Sequence, residues 1–278
     1  MSVLSSFFAR ESVEIMGILN ATPDSFSDGG QFNRVHSALL RIEEMIGQGA
    51  TIIDIGGEST RPYAPVVSKE EELSRVVPIL KEAIPRFGTD VLFSIDTTKY
   101  EVASQALDQG VHIINDVSGL QKAPEMARLA ASYRAAYLVM HSQGSPQDMQ
   151  DNPTYEHAVT DIVDFLVEQT SYLQQLGVEH IIVDPGIGFG KTLDHNLQII
   201  AQLERVVDIG FPVLLGASRK SMFGHLLDDR PVEGRLAGTL AAHYHALLKG
   251  VRILRVHDVQ EATDTVRVFE ALQAAGTR

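Results

Sequence analysis

The 278-residue chain carries 23 Lys and Arg against 36 Asp and Glu, a formal net charge of −13, and contains no cysteine. Without thiols neither a disulfide framework nor a thiolate metal site can form, and the acidic surplus repels polyanions, so any anionic ligand must be small and met locally. Apolar residues make up 44% and charged residues 21%, the balance of a chain that buries a large core and not of a disordered one. Residues 1–10 hold a short apolar patch with neither a basic leading region nor a small-residue cleavage site, and no apolar run approaches the roughly 20 residues of a membrane span. A cytoplasmic protein is the expectation.

Eight short β-branched, apolar runs recur along the chain, at 15–19, 51–55, 91–95, 112–114, 136–140, 181–183, 213–215 and 252–256. They are nearly continuous and do not alternate with polar residues, which predicts strands buried on both faces, as a parallel sheet requires. The intervals leave room for crossover helices. One is expected over 68–83, opening with Ser68 and Glu71 at capping-box spacing and kinked by Pro78. Others are expected over 99–109, ending at Gly110, and over 154–176, ended by Gly177. Eight strand–helix repeats without a Pro, Gly or Ser-rich linker predict an α/β chain folded as one (β/α)8 TIM barrel domain over residues 1–278, with its core at 14–275. An open doubly wound sheet is the alternative.

Polar residues gather at the ends of these runs. In chain order they are Asn20, Asp54 with the Gly56-Gly57-Glu58-Ser59-Thr60-Arg61-Pro62 segment, Asp96, Asn115-Asp116, His141, Asp184-Pro185-Gly186, Ser218-Arg219-Lys220-Ser221, and Arg255 with His257-Asp258. In a barrel these positions meet at one rim, where the loops build an active site. The Gly190-Lys191-Thr192 segment imitates the end of a nucleotide phosphate loop, but Pro185 stands where the first glycine of that loop is required. Ser218 lacks the second glycine of a nucleophile elbow. His243 and His245, two apart, diverge on a helix and form no metal pair, and His36, His157, His180, His195 and His225 read as surface or structural residues.

The residues Leu19-Asn20-Ala21-Thr22-Pro23-Asp24-Ser25-Phe26-Ser27-Asp28-Gly29-Gly30, Gly57-Glu58-Ser59-Thr60-Arg61-Pro62 and Ser94-Ile95-Asp96-Thr97 are followed in order by four further motifs. These are Asn115-Asp116-Val117-Ser118-Gly119, Asp184-Pro185-Gly186-Ile187-Gly188-Phe189-Gly190-Lys191, Gly216-Ala217-Ser218-Arg219-Lys220-Ser221 and Arg255-Val256-His257-Asp258-Val259. Together they resemble the dihydropteroate synthase family of pterin-binding enzymes, with a small departure at Tyr63, where that family often has a smaller residue. The resemblance implies a transferase that joins a pterin pyrophosphate to p-aminobenzoate, with Mg2+ as cofactor and no nucleic acid or membrane partner. It also implies a homodimer formed through helices outside the barrel.

The resemblance further implies a pterin pocket of Asp96, Asn115, Asp184, Phe189, Lys220 and Arg255, with Asp96, Asp184, Lys220 and Arg255 as its catalytic members. A carboxylate such as Asp184 can accept two parallel hydrogen bonds from the amino and ring N–H edge of a pterin, and Asn115 can donate and accept at neighbouring ring nitrogens. Phe189 would lie over an aromatic ring, or else in ordinary core. The pyrophosphate would meet Asn20, Thr60, Arg255 and His257, with Asn20 also a ligand of Mg2+. The p-aminobenzoate site would comprise Thr60, Arg61, Pro62, Phe189, Lys220 and Ser221. The expected chemistry is dissociative, with loops bearing Gly29, Gly30, Gly56 and Gly57 closing to exclude water. Two alternatives are a pterin-binding methyltransferase domain serving a corrinoid protein and a non-catalytic pterin-binding paralogue. Thr60-Arg61-Pro62 and the Ser218 to Ser221 segment speak against the first. Retention of Asn20, Asp24, Thr60 and Arg61 speaks against the second.

Overall fold

The apolar runs become eight parallel strands: β1 Glu14–Asn20, β2 Ile52–Gly56, β3 Leu92–Asp96, β4 Ile113–Asp116, β5 Ala136–Met140, β6 Ile181–Asp184, β7 Leu214–Leu215 and β8 Ile253–Val256. The computed structural model describes residues 3–22, 31–61, 63–145 and 147–276. Strands β1 to β6 pair in sequence order, and β8 pairs with both β1 and β7. The remaining seam, between β6 and β7, is joined by a bridge between Val183 and Val213, where the Val183 N–H donates to the Pro212 carbonyl at 3.0 Å. The ring thus closes, and the open sheet is set aside.

Closure follows from the runs themselves. β2, β3 and β5 are buried at every position, so both of their faces need a covering layer. Ile53, Phe93, Ile114, Tyr137, Val183 and Leu254 join the cluster shared with the surrounding helices. Met16, Ile52, Leu92, Ile113, Ile182 and Ile253 instead form a separate cluster with Leu4 and Phe7. Those two belong to α1, Val3–Phe8, which plugs the end of the barrel where the strands begin. Phe8 stacks on His180 with ring centroids 4.5 Å apart, a structural use of that histidine.

The outer layer holds α2 Gln31–Gly47, α3 Lys69–Phe87, α4 Tyr100–Asp108, α5 Met126–Tyr133, α6 Ala158–Gln175, α10 Leu236–Leu248 and α11 Val259–Gly276. Two intervals carry more than one helix: α7 Leu193–Ala201 and α8 Glu204–Val207 precede β7, and α9 Ser221–Leu226 with a 3-10 turn, Val232–Arg235, precedes α10. Among the described residues no helix is long and apolar enough to cross a membrane. The Ser68 hydroxyl accepts the Glu71 N–H at 3.1 Å, capping α3 as expected. Only half of the capping box forms, because the Glu71 carboxylate pairs with Arg75. The helix continues through Pro78 and Pro85 to Phe87. Ser68→Ala should lower stability by about 1 kcal/mol, read as a shifted urea midpoint at constant slope.

The helix expected from residue 154 begins later, at Ala158, because the Asp161 carboxylate accepts the N–H groups of Glu156 and His157 at 3.1 and 3.2 Å and closes its first turn. On α10, His243 is 1% exposed, and neither of its ring nitrogens has a hydrogen-bond partner. Burial lowers its pKa to about 4. The unfolded chain, with an ordinary histidine near 6.5, then binds the extra proton, so this site's contribution is intact above that pH and fades as pH falls toward 4. Equilibrium unfolding should show about 3 kcal/mol less stability from this group at pH 4 than at pH 7, and His243→Leu should flatten that slope.

Candidate active site

Register brings the polar strand ends together. Asn20 lies opposite Gly56, Gly56 opposite Asp96, and Asp96 opposite Asn115. Below this row the Arg255 guanidinium binds two carboxylates, Nε donating to Asp54 Oδ2 at 2.7 Å and a terminal nitrogen to Asp96 Oδ2 at 2.6 Å. Asn115 Nδ2 also donates to Asp54 Oδ2, at 3.0 Å. Asp54 is fully buried, and its Oδ1 has no partner in the protein. Burial pushes Asp96 upward, Arg255 pulls it down, and the charges of Asp54, Glu72 and Asp116 push it up again. Asp54 was visible in sequence as a carboxylate inside an apolar run. Its place among the polar strand ends puts it at the rim, and a carboxylate buried there needs a cation, which Arg255 supplies.

The Asp184 turn forms the opposite wall. Asp184 Oδ1 accepts the Gly186 N–H at 2.7 Å. Gly186 and Gly190 hold φ of +70° and +63°, and a Cβ on either would fall 1.9 Å from the His141 carbonyl or 2.1 Å from the Gln143 carbonyl. Only glycine lets this turn lie so close to the end of β5. The turn is further fixed by Asn196, which accepts from the Gly188 N–H at 2.8 Å, by Gln150, which donates to the Gly188 carbonyl at 2.6 Å, and by the Tyr155 hydroxyl on the Gly190 carbonyl at 2.7 Å. Phe189 is 8% exposed and packs in the barrel-interior cluster with Met140 and Met149. Lys220 Nζ sits 4.2 Å from the Phe189 ring centroid, a cation–π contact. Phe189 is thus part of the buried core at the barrel mouth, with Lys220 on its ring.

Burial raises Asp184 to about 6, opposed by the Gly186 N–H, Lys220, Arg255 and Lys191. Burial and Arg255 lower Lys220 to about 8. At the end of β8, His257 Nδ1 lies 3.0 Å from Ser218 Oγ, which accepts the His257 backbone N–H at 3.2 Å. Burial, then Arg255, Arg219 and Arg61, bring His257 to about 4, so its ring is neutral at pH 7. Arg219 is committed to Asp258, through Nε to Oδ2 at 2.8 Å and a second, shorter contact. Asp116 is consumed locally, accepting from Ser118, Leu120 and Tyr137.

Thr60 and Phe189 line a cleft of about 210 Å³ together with Ser118, Lys122, Gln147 and Met149. Arg61 is exposed on the loop after β2. Ser221 opens α9 and lies outside the lining of that cleft. Pro62, Asp24, Gly29 and Gly30 fall outside the described residues. After β5, a segment that carries no motif in sequence reaches the loop after β2: Gln147 donates to the Ala64 carbonyl at 3.0 Å, and the Tyr63 hydroxyl to Asp151 at 3.1 Å. The loop after β2 is anchored by Lys99, which binds Glu58 at 2.6 Å and the fully buried Glu72 at 2.5 Å, and by Arg75 on the Gly57 carbonyl at 2.6 Å.

A parallel barrel with a rim of buried, paired carboxylates beside a cation-covered aromatic ring suits a flat, nitrogen-rich ligand. The family model described as pterin binding enzyme matches residues 16–257, and the chain belongs to that family. Within it, the chain is 46% identical over 260 residues to the dihydropteroate synthase of Haemophilus influenzae, covering 93% of each protein. The Yersinia pestis dihydropteroate synthase, solved as a sulfonamide drug complex, superposes with a TM-score of 0.87 at 43% identity over 95% of both chains. The Xanthomonas albilineans dihydropteroate synthase with 4-aminobenzoic acid gives a TM-score of 0.87 at 40% identity over 95% of this chain and 94% of that one. The dihydropteroate synthases are thus the branch of the family to which the chain belongs.

Proposed function

We propose that this chain condenses 6-hydroxymethyl-7,8-dihydropterin pyrophosphate with p-aminobenzoate to give 7,8-dihydropteroate and pyrophosphate. The observation that carries the reading is the buried polar layer of Asp54, Asp96, Asn115 and Arg255 facing the Asp184 turn across the barrel mouth. Asp184 accepts from the amino and ring N–H edge of the pterin, while Asn115, Asp96 and Lys220 serve the remaining ring positions, each charged hydrogen bond contributing about 1.5–3 kcal/mol. The pyrophosphate lies toward Asn20, Thr60, Arg255 and His257. The aminobenzoate packs between Thr60, Pro62, Phe189 and the Lys220 stem, its carboxylate meeting Ser221, with Arg61 closing the loops over it.

The bond from the pterin methylene to the pyrophosphate oxygen breaks first, and the electron pair leaves with pyrophosphate. Asp96 and Asp184 stabilise positive charge on the pterin, and Arg255 and His257 stabilise the leaving group, both as preorganised electrostatics. The aryl amine then donates its lone pair to the methylene carbon and releases a proton. Among the described residues no three His, Asp or Glu are grouped to hold a metal. A single carboxamide oxygen nonetheless suits Mg2+, which usually keeps several waters and takes other ligands from substrate phosphates. Asn20 would supply that oxygen, and the bound ion would neutralise charge on the departing pyrophosphate.

A homodimer is part of this reading. Leu248 on α10 and Val268 and Leu272 on α11 are 54%, 56% and 55% exposed on two helices that pack together outside the barrel, which supports it. Purified protein given the pterin pyrophosphate, Mg2+ and radiolabelled p-aminobenzoate should form labelled dihydropteroate. Its absence would reject the reading. A nitrogen-15 isotope effect at the amine showing substantial bond formation in the transition state would instead overturn the dissociative order alone.

A further inference from the structure

The loop after β2 carries Thr60 and Arg61, yet none of its described residues from 59 to 66 is buried, and Tyr63 and Val66 are 68% and 72% exposed. Apolar packing of these residues therefore does not hold it. Its two ends meet instead on one carboxylate: Glu58 Oε1 accepts the Val67 N–H, nine positions on, at 2.9 Å, and Glu58 Oε2 accepts from Lys99 Nζ at 2.6 Å. Lys99 leads into α4, and its second bond, at 2.5 Å, is to Glu72 of α3. A lysine at a helix N-terminus opposes the helix dipole, and Glu72 is fully buried with Oε1 unpaired, so the stability of α3 and α4 explains neither residue. The start of the loop is pressed on the same anchor, since a Cβ on Gly57 would fall 2.8 Å from Glu72 Cγ.

We propose that Glu58 is a positioning residue for the aryl amine substrate, its carboxylate clasping the loop at both ends and fastening it to Lys99, so that Thr60 already stands in place when p-aminobenzoate arrives. The proposal rests on the assignment of Thr60 and Phe189, which line one cleft, to that substrate. Glu58 and Lys99 border the same cleft, but both Glu58 oxygens are engaged within the protein, so Glu58 acts through the loop and not on the ligand. The anchor belongs to the frame. Glu72 lies within α3, and the Lys99 N–H donates to Thr97 Oγ1 at 3.2 Å while the Thr97 N–H donates to the Asn115 carbonyl at 3.1 Å. Gln147 and Asp151 touch the tip of the loop, whereas Glu58 joins its ends. A loop so held loses little freedom on binding. A released one occupies the binding position for only part of the time and weakens apparent affinity by that fraction.

The test is steady-state kinetics at saturating pterin pyrophosphate, with calorimetric affinity for 6-hydroxymethylpterin, for wild type, Glu58→Ala, Glu58→Gln and Thr60→Ala. Glu58→Ala leaves Lys99 paired with Glu72, so it orphans no buried acid. In that variant KM for p-aminobenzoate should rise about tenfold, with kcat within about threefold and pterin affinity within about twofold of wild type. Glu58→Gln can accept from one partner but not from both, and its KM should lie between the two. An unchanged KM in Glu58→Ala, or kcat and pterin affinity that fall as far as KM rises, would overturn the proposal, the second being the mark of a general structural loss. Wild type that makes no dihydropteroate, or Thr60→Ala with an unchanged KM, would overturn the assignment of this loop to p-aminobenzoate, and the proposal with it. Should neither Glu58 variant fold, amide exchange in the wild type with 6-hydroxymethylpterin bound decides. A Val67 N–H protected before p-aminobenzoate is added supports the proposal, and one that is unprotected, or protected only afterwards, overturns it.

Discussion

Arg255→Met is expected to destabilise the protein by about 3–5 kcal/mol and to abolish turnover. The guanidinium is the only cation bonded to Asp54 and Asp96 among the described residues, and those carboxylates are 0% and 7% exposed. Deleting it leaves two buried acids side by side, which must either stay charged without a partner or take up protons. Both routes cost folding free energy at neutral pH. Urea unfolding at pH 7.5 measures the loss, and adding Asp54→Leu should return part of it, because the unpaired charge then disappears with its partner. Stability within 1 kcal/mol of wild type would show that the pairs seen between Arg255 and the two acids contribute little.

Asp184→Asn has the opposite signature. The carboxamide cannot accept both hydrogen bonds of the pterin edge and turns an N–H toward one of them, so kcat/KM should fall by about two to four orders of magnitude, from two charged hydrogen bonds of about 1.5–3 kcal/mol each. Stability should not fall with it. A carboxyl whose folded pKa is raised, here to about 6, is stabilising to the empty protein only while protonated. Above pH 6 its charge costs about 3 kcal/mol relative to an ordinary aspartate, and asparagine removes that charge. The variant should therefore unfold at the same or higher urea concentration than wild type at pH 8. A more fragile protein, or one within tenfold of wild-type activity, would remove Asp184 from the pterin edge.

The barrel was legible because runs such as 52–55 and 136–140 have no polar face to give to solvent. The turn glycines, Asp184 and Lys220 were legible because the motifs carrying them are long and ordered. The plug formed by Leu4 and Phe7 was not, since six residues are too few for a helical period and their burial is decided by strand ends far along the chain. β7 holds only Leu214 and Leu215, with Val213 beside it in the lone bridge to Val183. The partners of Asp54 and Lys191 were hidden for a shared reason. Whether an acid in a strand or a lysine in a loop is buried depends on partners 201 and 50 residues distant, at Arg255 and His141, and local spacing carries no trace of them.

The seam between β6 and β7, joined by one bridge, falls between the strand that ends in Asp184 and the strand that leads to Lys220. Elsewhere the wall is laced by continuous ladders. Here the Lys220 cation lying on the Phe189 ring spans the gap above the bridge. The backbone therefore holds the cylinder least along this one line, and its closure there falls to side chains that follow the two strands.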